Sequence, residues 1–254
     1  MPDNGGNGRR GLGATGLVPI TGAGLQGLGR EDIEQDIIVE SPGRLLIGGS
    51  TRSRSLPAAA GIQSTPRNPD GNAALDPDPT VDAFVLRYDM NGAGVVRSTY
   101  LGGRDFDGFG GLAYESGGTI AVGVTTASDD FPTTLITIQD ELDGDVDAAM
   151  VLLGPNLDVL EFGTYVGGPV TGGAVLWEQT VRGVVADRTG GVYLFGGTTN
   201  SRLPVSQNAL STFNDFFGGW IVKLAASTTP RLGAPTTASL TPEPCARVQS
   251  SGIL

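Results

Sequence analysis

Gly111-Leu112-Ala113-Tyr114, then Ser116-Gly117-Gly118, then Ile120-Ala121-Val122-Gly123-Val124-Thr125-Thr126 and, after a short gap, Phe131-Pro132: two apolar runs joined by a glycine turn read as an antiparallel hairpin. The same order is written twice more. Ile37-Ile38-Val39 leads through Ser41-Pro42-Gly43 to Leu45-Leu46-Ile47-Gly48-Gly49-Ser50-Thr51 and Leu56-Pro57. Val181 to Ala186 leads through Thr189-Gly190-Gly191 to Val192-Tyr193-Leu194-Phe195-Gly196-Gly197-Thr198-Thr199 and Leu203-Pro204. Gly48, Gly123 and Gly196 set a register of 75 and 73 residues, and the Leu/Phe-Pro pairs keep step with it.

A second half follows each copy. Asp82-Ala83-Phe84-Val85-Leu86, Asp147-Ala148-Ala149-Met150-Val151-Leu152 and Gly219-Trp220-Ile221-Val222-Lys223-Leu224 each supply a third apolar run. The first two units close with Ser98-Thr99-Tyr100-Leu101-Gly102-Gly103 and Gly163-Thr164-Tyr165-Val166-Gly167-Gly168. Four short strands per unit make a meander, and small four-stranded sheets in tandem are the sequence sign of propeller blades. Runs without strict alternation, such as Ile120 to Val122, suit strands buried on both faces. The expected fold is therefore all-β, with tandem four-stranded antiparallel blades over residues 31–103, 104–168 and 169–224 forming a β-propeller repeat domain at 31–224. A Gly-rich segment (1–30) precedes it, and a Thr/Ala/Pro-rich tail (225–254), linker-like and flexible in composition, follows.

Three clear units are fewer than the four to eight blades of a closed propeller. The expectation is an incomplete or open propeller, completed by a degenerate blade from the termini, by the rest of a longer protein of which this is a fragment, or by self-association through open blade edges. The third unit also departs from the others: Gly218-Gly219 stands where the other units have Asp, and no Ser-Thr-Tyr-Leu-Gly-Gly ending is evident.

Composition narrows the chemistry. Forty-one of 254 residues are glycine, roughly twice the usual share, as a turn-rich β chain requires. The net charge of −11 repels phosphate backbones and anionic lipid and disfavours nucleic-acid binding. No histidine is present, which excludes Ser-His-Asp, Cys-His and His-zinc sites. Cys245 is the single cysteine, so no intrachain disulfide forms. No stretch reaches the length of a membrane span, and Met1 to Arg30 lacks the apolar core of a secretory signal.

The sharpest polar constellation is Asp143-Gly144-Asp145-Val146-Asp147, preceded by Asp140 and Glu141. Alternating carboxylates in a glycine-containing loop can converge on a hard cation, so Asp143, Asp145 and Asp147 are candidate Ca²⁺ ligands. This is not an EF-hand, because Gly154 occupies the position of the bidentate Glu; turn formation is the competing role of these aspartates. Asp76, Asp78 and Asp82 echo the pattern weakly, and the third unit offers Asp215 alone. Arg104-Asp105-Phe106-Asp107-Gly108 opens the second unit, and its carboxylates are the candidates for acid/base work on a sugar. Trp177 and Trp220 offer stacking faces, whereas Tyr100 and Tyr165 recur at matching positions and read as packing residues.

The segments Asp147 to Gly168, Thr125-Thr126-Ala127-Ser128-Asp129-Asp130-Phe131-Pro132-Thr133-Thr134 and Val81 to Val85 with Ser98 to Gly103 resemble the bacterial SBBP family of β-propeller repeats over residues 31–224. The resemblance implies a propeller in a bacterial protein, extracellular or at the cell surface, of unassigned biochemical activity. The expected function is a non-catalytic interaction or structural module with a protein or carbohydrate ligand. The alternatives are a propeller glycoside hydrolase or polysaccharide lyase using Asp/Glu, distinguished by whether Asp105, Asp107 and a further carboxylate converge in one channel mouth, or a fragment of a larger propeller protein with no separate function.

Overall fold

The computed structural model describes residues 33–67, 81–115, 117–168, 179–187, 190–199, 218–227 and 239–248. They form twelve strands and, among the described residues, no helix, hence none long and apolar enough to cross a membrane. The first sheet holds β1 (Ile33–Ser41), β2 (Arg44–Thr51), β3 (Asp82–Asp89) and β4 (Gly94–Leu101). The middle sheet holds β5 (Asp107–Tyr114), β6 (Ile120–Thr126), β7 (Asp147–Leu153) and β8 (Leu160–Val166). The third holds β9 (Gln179–Ala186), β10 (Gly191–Thr198), β11 (Gly218–Ser227) and β12 (Ser239–Val248). Each is an antiparallel meander in chain order. The Pro42-Gly43 turn between β1 and β2 is possible because Gly43 adopts φ +81°, a left-handed conformation that costs glycine little.

The middle sheet explains the unalternating runs. Every residue of β6 and β7 is buried. Val122, Val124, Ala149 and Val151 pack with Leu46, Ala83, Val85 and Leu101 of the first sheet. Their sequence neighbours Ala121, Ala148, Met150 and Leu152 pack with Val184, Leu194, Val222 and Leu224 of the third. A strand with a sheet on both faces has no solvent side, so no polar alternation is selected.

The pairing adds one strand and corrects one register. The segment 225–254, read as a linker-like tail, carries β12, which pairs with β11 from Gly219↔Val248 to Ser227↔Ser239. The third copy is also displaced by one residue from the glycine register. Thr51, Thr126 and Thr198 pair with Asp82, Asp147 and Gly218, the first residues of the next strands. The true equivalent of Gly48 and Gly123 is therefore Phe195, not Gly196, a spacing of 72 residues that matches the Phe131-Pro132 to Leu203-Pro204 interval. A one-residue slip reverses which face every side chain occupies, so this register puts Phe195, and not a glycine, on the face that the other two sheets turn toward a neighbour.

The Leu/Phe-Pro anchors are held by tyrosine. Tyr100 OH donates to Ser53 O (2.8 Å) and accepts from Leu56 N (2.9 Å). Tyr165 OH donates to Ser128 O (2.7 Å) and accepts from Phe131 N (3.0 Å). Both tyrosines are fully buried, so Tyr165→Phe strands an amide and a carbonyl away from water. The expected loss is about 1–3 kcal/mol, read as a lower urea midpoint at unchanged slope; an unchanged midpoint would refute the role.

Candidate functional site

Each first strand carries a β-bulge at the same place. The register shifts between Glu34 and Asp36, between Phe109 and Gly111, and between Val181 and Gly183, leaving Gln35, Gly110 and Arg182 outside the ladder. Bulges of this kind bend a strand and re-aim a side chain. Gln35 and Arg182 are exposed, and both line an open cleft of about 810 Å³. Strands from all three sheets meet there, through Gln35 and Ser50 of the first, Phe109 and Thr125 of the middle, and Arg182 and Phe195 of the third.

The sheets are joined beside this cleft by one repeated device. Ser50 Oγ accepts from Phe109 N (3.0 Å), and Thr125 Oγ1 accepts from Val181 N (2.9 Å). Next to each hydroxyl lies a glycine that makes room for the neighbouring sheet. A Cβ on Gly48 would stand 2.6 Å from Leu112 Cδ2 and run into the Phe109 ring, and one on Gly123 would stand 2.7 Å from Val184 Cγ2. Asp36 Oδ2 adds a bond from Leu112 N (3.1 Å).

Arg182 is the only charged side chain among the described residues lining this cleft, and it takes part in no ion pair among the described residues. A shallower continuation reaches Asp36 and Val185. Both Asp36 oxygens are already used, Oδ1 by Ile37 N (2.8 Å) and Oδ2 by Leu112 N. The walls are apolar, with Phe106, Phe109, Val181 and Phe195.

A second polar group lies around Gly102 and Gly103. Asp82 and Asp107 flank Gly102: a Cβ there would stand 2.8 Å from Asp107 Oδ2 and meet Asp82 Oδ1. Asp107 Oδ2 accepts from Gly103 N (2.7 Å) and Ser128 Oγ (2.8 Å), whereas Asp107 Oδ1 and Asp82 Oδ2 have no hydrogen-bond partner among the described residues. Burial, reinforced by the Asp107 carboxylate, pushes the Asp82 carboxyl up to about 8. Burial also pushes Asp107 up to about 7. Both groups sit inside the protein, at 2% and 0% exposure, and neither lines the cleft.

The loop aspartates are not brought together. Asp147 is buried, and its Oδ2 accepts from Gln139 Nε2 (2.9 Å) and Asp143 N (2.9 Å), while Asp145 is exposed. The loop is thus an Asp-anchored turn, and among the described residues no three Asp or Glu side chains are placed to hold a metal ion. Of the candidate Ca²⁺ ligands Asp143, Asp145 and Asp147, only Asp147 is buried, and its Oδ2 is engaged in closing the loop. Asp105 is exposed and Asp107 faces inward, so these two do not converge at the cleft mouth. Arg104 N and Nε bond Asp130 (2.8 and 3.1 Å). Trp220 is a core residue whose Nε1 donates to Gly197 O (3.0 Å). Trp177, Asp76, Asp78 and Asp215 lie outside the described residues.

Sequence reading missed Gln35, Arg182 and the paired Gln63 and Gln139. The glutamines were legible in principle. Gln63 O and Gln139 O accept from Tyr100 N and Tyr165 N, and their Oε1 atoms accept from Gly102 N and Gly167 N, so they sit in step with the Tyr-Leu/Val-Gly-Gly endings. The bulges were not legible, since a bulge is a property of pairing. No protein-family model matches the chain, and no curated protein matches it.

Proposed function

We propose that the three sheets are consecutive blades of a propeller-type array, and that the chain is a non-catalytic interaction or structural module whose binding surface is the cleft between the first strands. The observation that supports this best is the repeated hydroxyl-and-glycine interlock at both sheet junctions. It gathers three bulged strands around one concave surface, as blades do around an axis, and a pre-formed concavity with few polar groups is the usual form of a ligand site. The burial of Asp82 and Asp107 beside Gly102, outside the cleft lining, favours binding over carboxylate catalysis. The resemblance to SBBP repeats, in proteins that are often exported or surface-associated, supports a location at a bacterial surface or outside the cell.

The test is a thermal-melt panel of neutral sugars, uronic acids, small carboxylic acids and short peptides, with each probe recovered and assayed for chemical change. Stabilisation by one class without turnover is expected, because a ligand bound only by the native state raises the melting temperature. Turnover of a stabilising sugar would overturn the non-catalytic reading. Absence of any shift across the panel would overturn the binding role of the cleft.

A further inference from the structure

The third sheet breaks the interlock that its neighbours use. Gly48 and Gly123 make room for the next sheet, and Ser50 and Thr125 accept its amide. At the same two positions the third sheet has Phe195 and Gly197, as the pairing to Ile221 and Gly219 fixes. A further sheet, or a second copy of the chain, seated there in the same way would meet an aromatic ring in place of a space and find no hydroxyl to receive its amide. The Phe195 ring instead lies over Gly183, 40% exposed, on the wall of the cleft that also holds Arg182.

An exposed aromatic where packing elsewhere demands glycine, beside an arginine that makes no ion pair among the described residues, offers a ring face and a planar cationic donor to one ligand. We infer that the cleft binds a small carboxylate-bearing ligand, its anionic group on Arg182 and its apolar or ring face on Phe195, with Gln35 donating across the cleft. This rests on the cleft being a binding surface. Arginine matches a carboxylate through its planar fork of donors and stays charged at any working pH. The cleft volume of about 810 Å³ is within the range of small-molecule sites. The carboxylate can come from an acidic sugar or from an aromatic or aliphatic acid, which share this chemistry.

The experiment titrates the full chain by calorimetry with 3-phenylpropionate, its uncharged amide, glucuronate and glucose, and repeats the series on Arg182→Gln and Phe195→Ala. Arg182 is exposed, so its variant is expected to melt as the wild type does. One acid is expected to bind roughly 10- to 100-fold tighter than its neutral counterpart, the range for a hydrogen bond to a charged group. Arg182→Gln is expected to abolish that difference, and Phe195→Ala to weaken acid and neutral probe alike. Preference for 3-phenylpropionate assigns an apolar acid, and preference for glucuronate an acidic sugar. Equal affinity for acid and neutral probe, or an Arg182→Gln variant that keeps the preference, overturns the inference while leaving the interaction module standing. No binding by any of the four probes overturns the inference as well, and the wider melt panel then decides the module separately.

Discussion

Raising the pH from about 4.5 to about 8.5 is expected to lower the urea midpoint of the native protein, and Asp82→Asn and Asp107→Asn each to flatten that decline. The two carboxyls are buried side by side, with folded-state values of about 8 and about 7 against an ordinary 3.8. Between those limits the folded protein keeps protons that the unfolded chain has released, so stability falls as pH rises and levels off above the folded-state values. Each unit of difference corresponds to about 1.4 kcal/mol. Because the two groups interact and titrate as a pair, a combined loss on the order of 5 kcal/mol is expected. The overall negative charge adds its own destabilisation at high pH, which is why the variants matter: an asparagine removes the site-specific part and keeps the general one. Wild-type and variant curves that run parallel would refute the assignment.

The second large effect concerns an ion pair within the first sheet whose further bonds reach Tyr114 and Pro155 of the middle unit. Arg87 on β3 bonds Glu40 on β1 through Nε (2.7 Å) and Nη2 (2.6 Å). It also donates to Pro155 O (2.8 Å) and Tyr114 OH (3.3 Å), and the Tyr114 hydroxyl in turn donates to Glu40. The two side chains are 11% and 8% exposed. Although burial alone would raise it, the bonds from Arg87 and Tyr114 hold the Glu40 carboxyl below its ordinary value. Arg87→Met is expected to cost about 3–5 kcal/mol, because it leaves a carboxylate buried without its partner. Adding Glu40→Gln to that variant is expected to recover much of the loss, since the uncompensated charge is then gone. A double-mutant cycle by urea unfolding reads this coupling, and simple additivity of the two substitutions would refute it.

The repeated strings made the four-stranded units legible, because hairpin turns and apolar runs are local properties of a chain. Tyr100 and Tyr165 are recognisable as packing residues for the same reason: a residue that recurs with its unit serves the unit. The role of the loop carboxylates was not legible, because alternating Asp in a glycine loop suits a cation and a turn equally well. The tertiary structure adds the direction of the Asp147 carboxylate, toward Gln139 and the Asp143 amide.

By itself, then, the sequence determined an all-β chain of three units, the absence of histidine chemistry, and the anchors that close each loop. Tertiary structure alone decided the third unit's register, the strand within the expected tail, the bulges that carry Gln35 and Arg182, and the meeting of three first strands at one cleft. The physical reason is pairing. A strand's face and register are set by the partner it bonds and the sheet it packs against, and a one-residue shift that a repeat of glycines conceals turns Phe195 from a core position to the wall of the cleft.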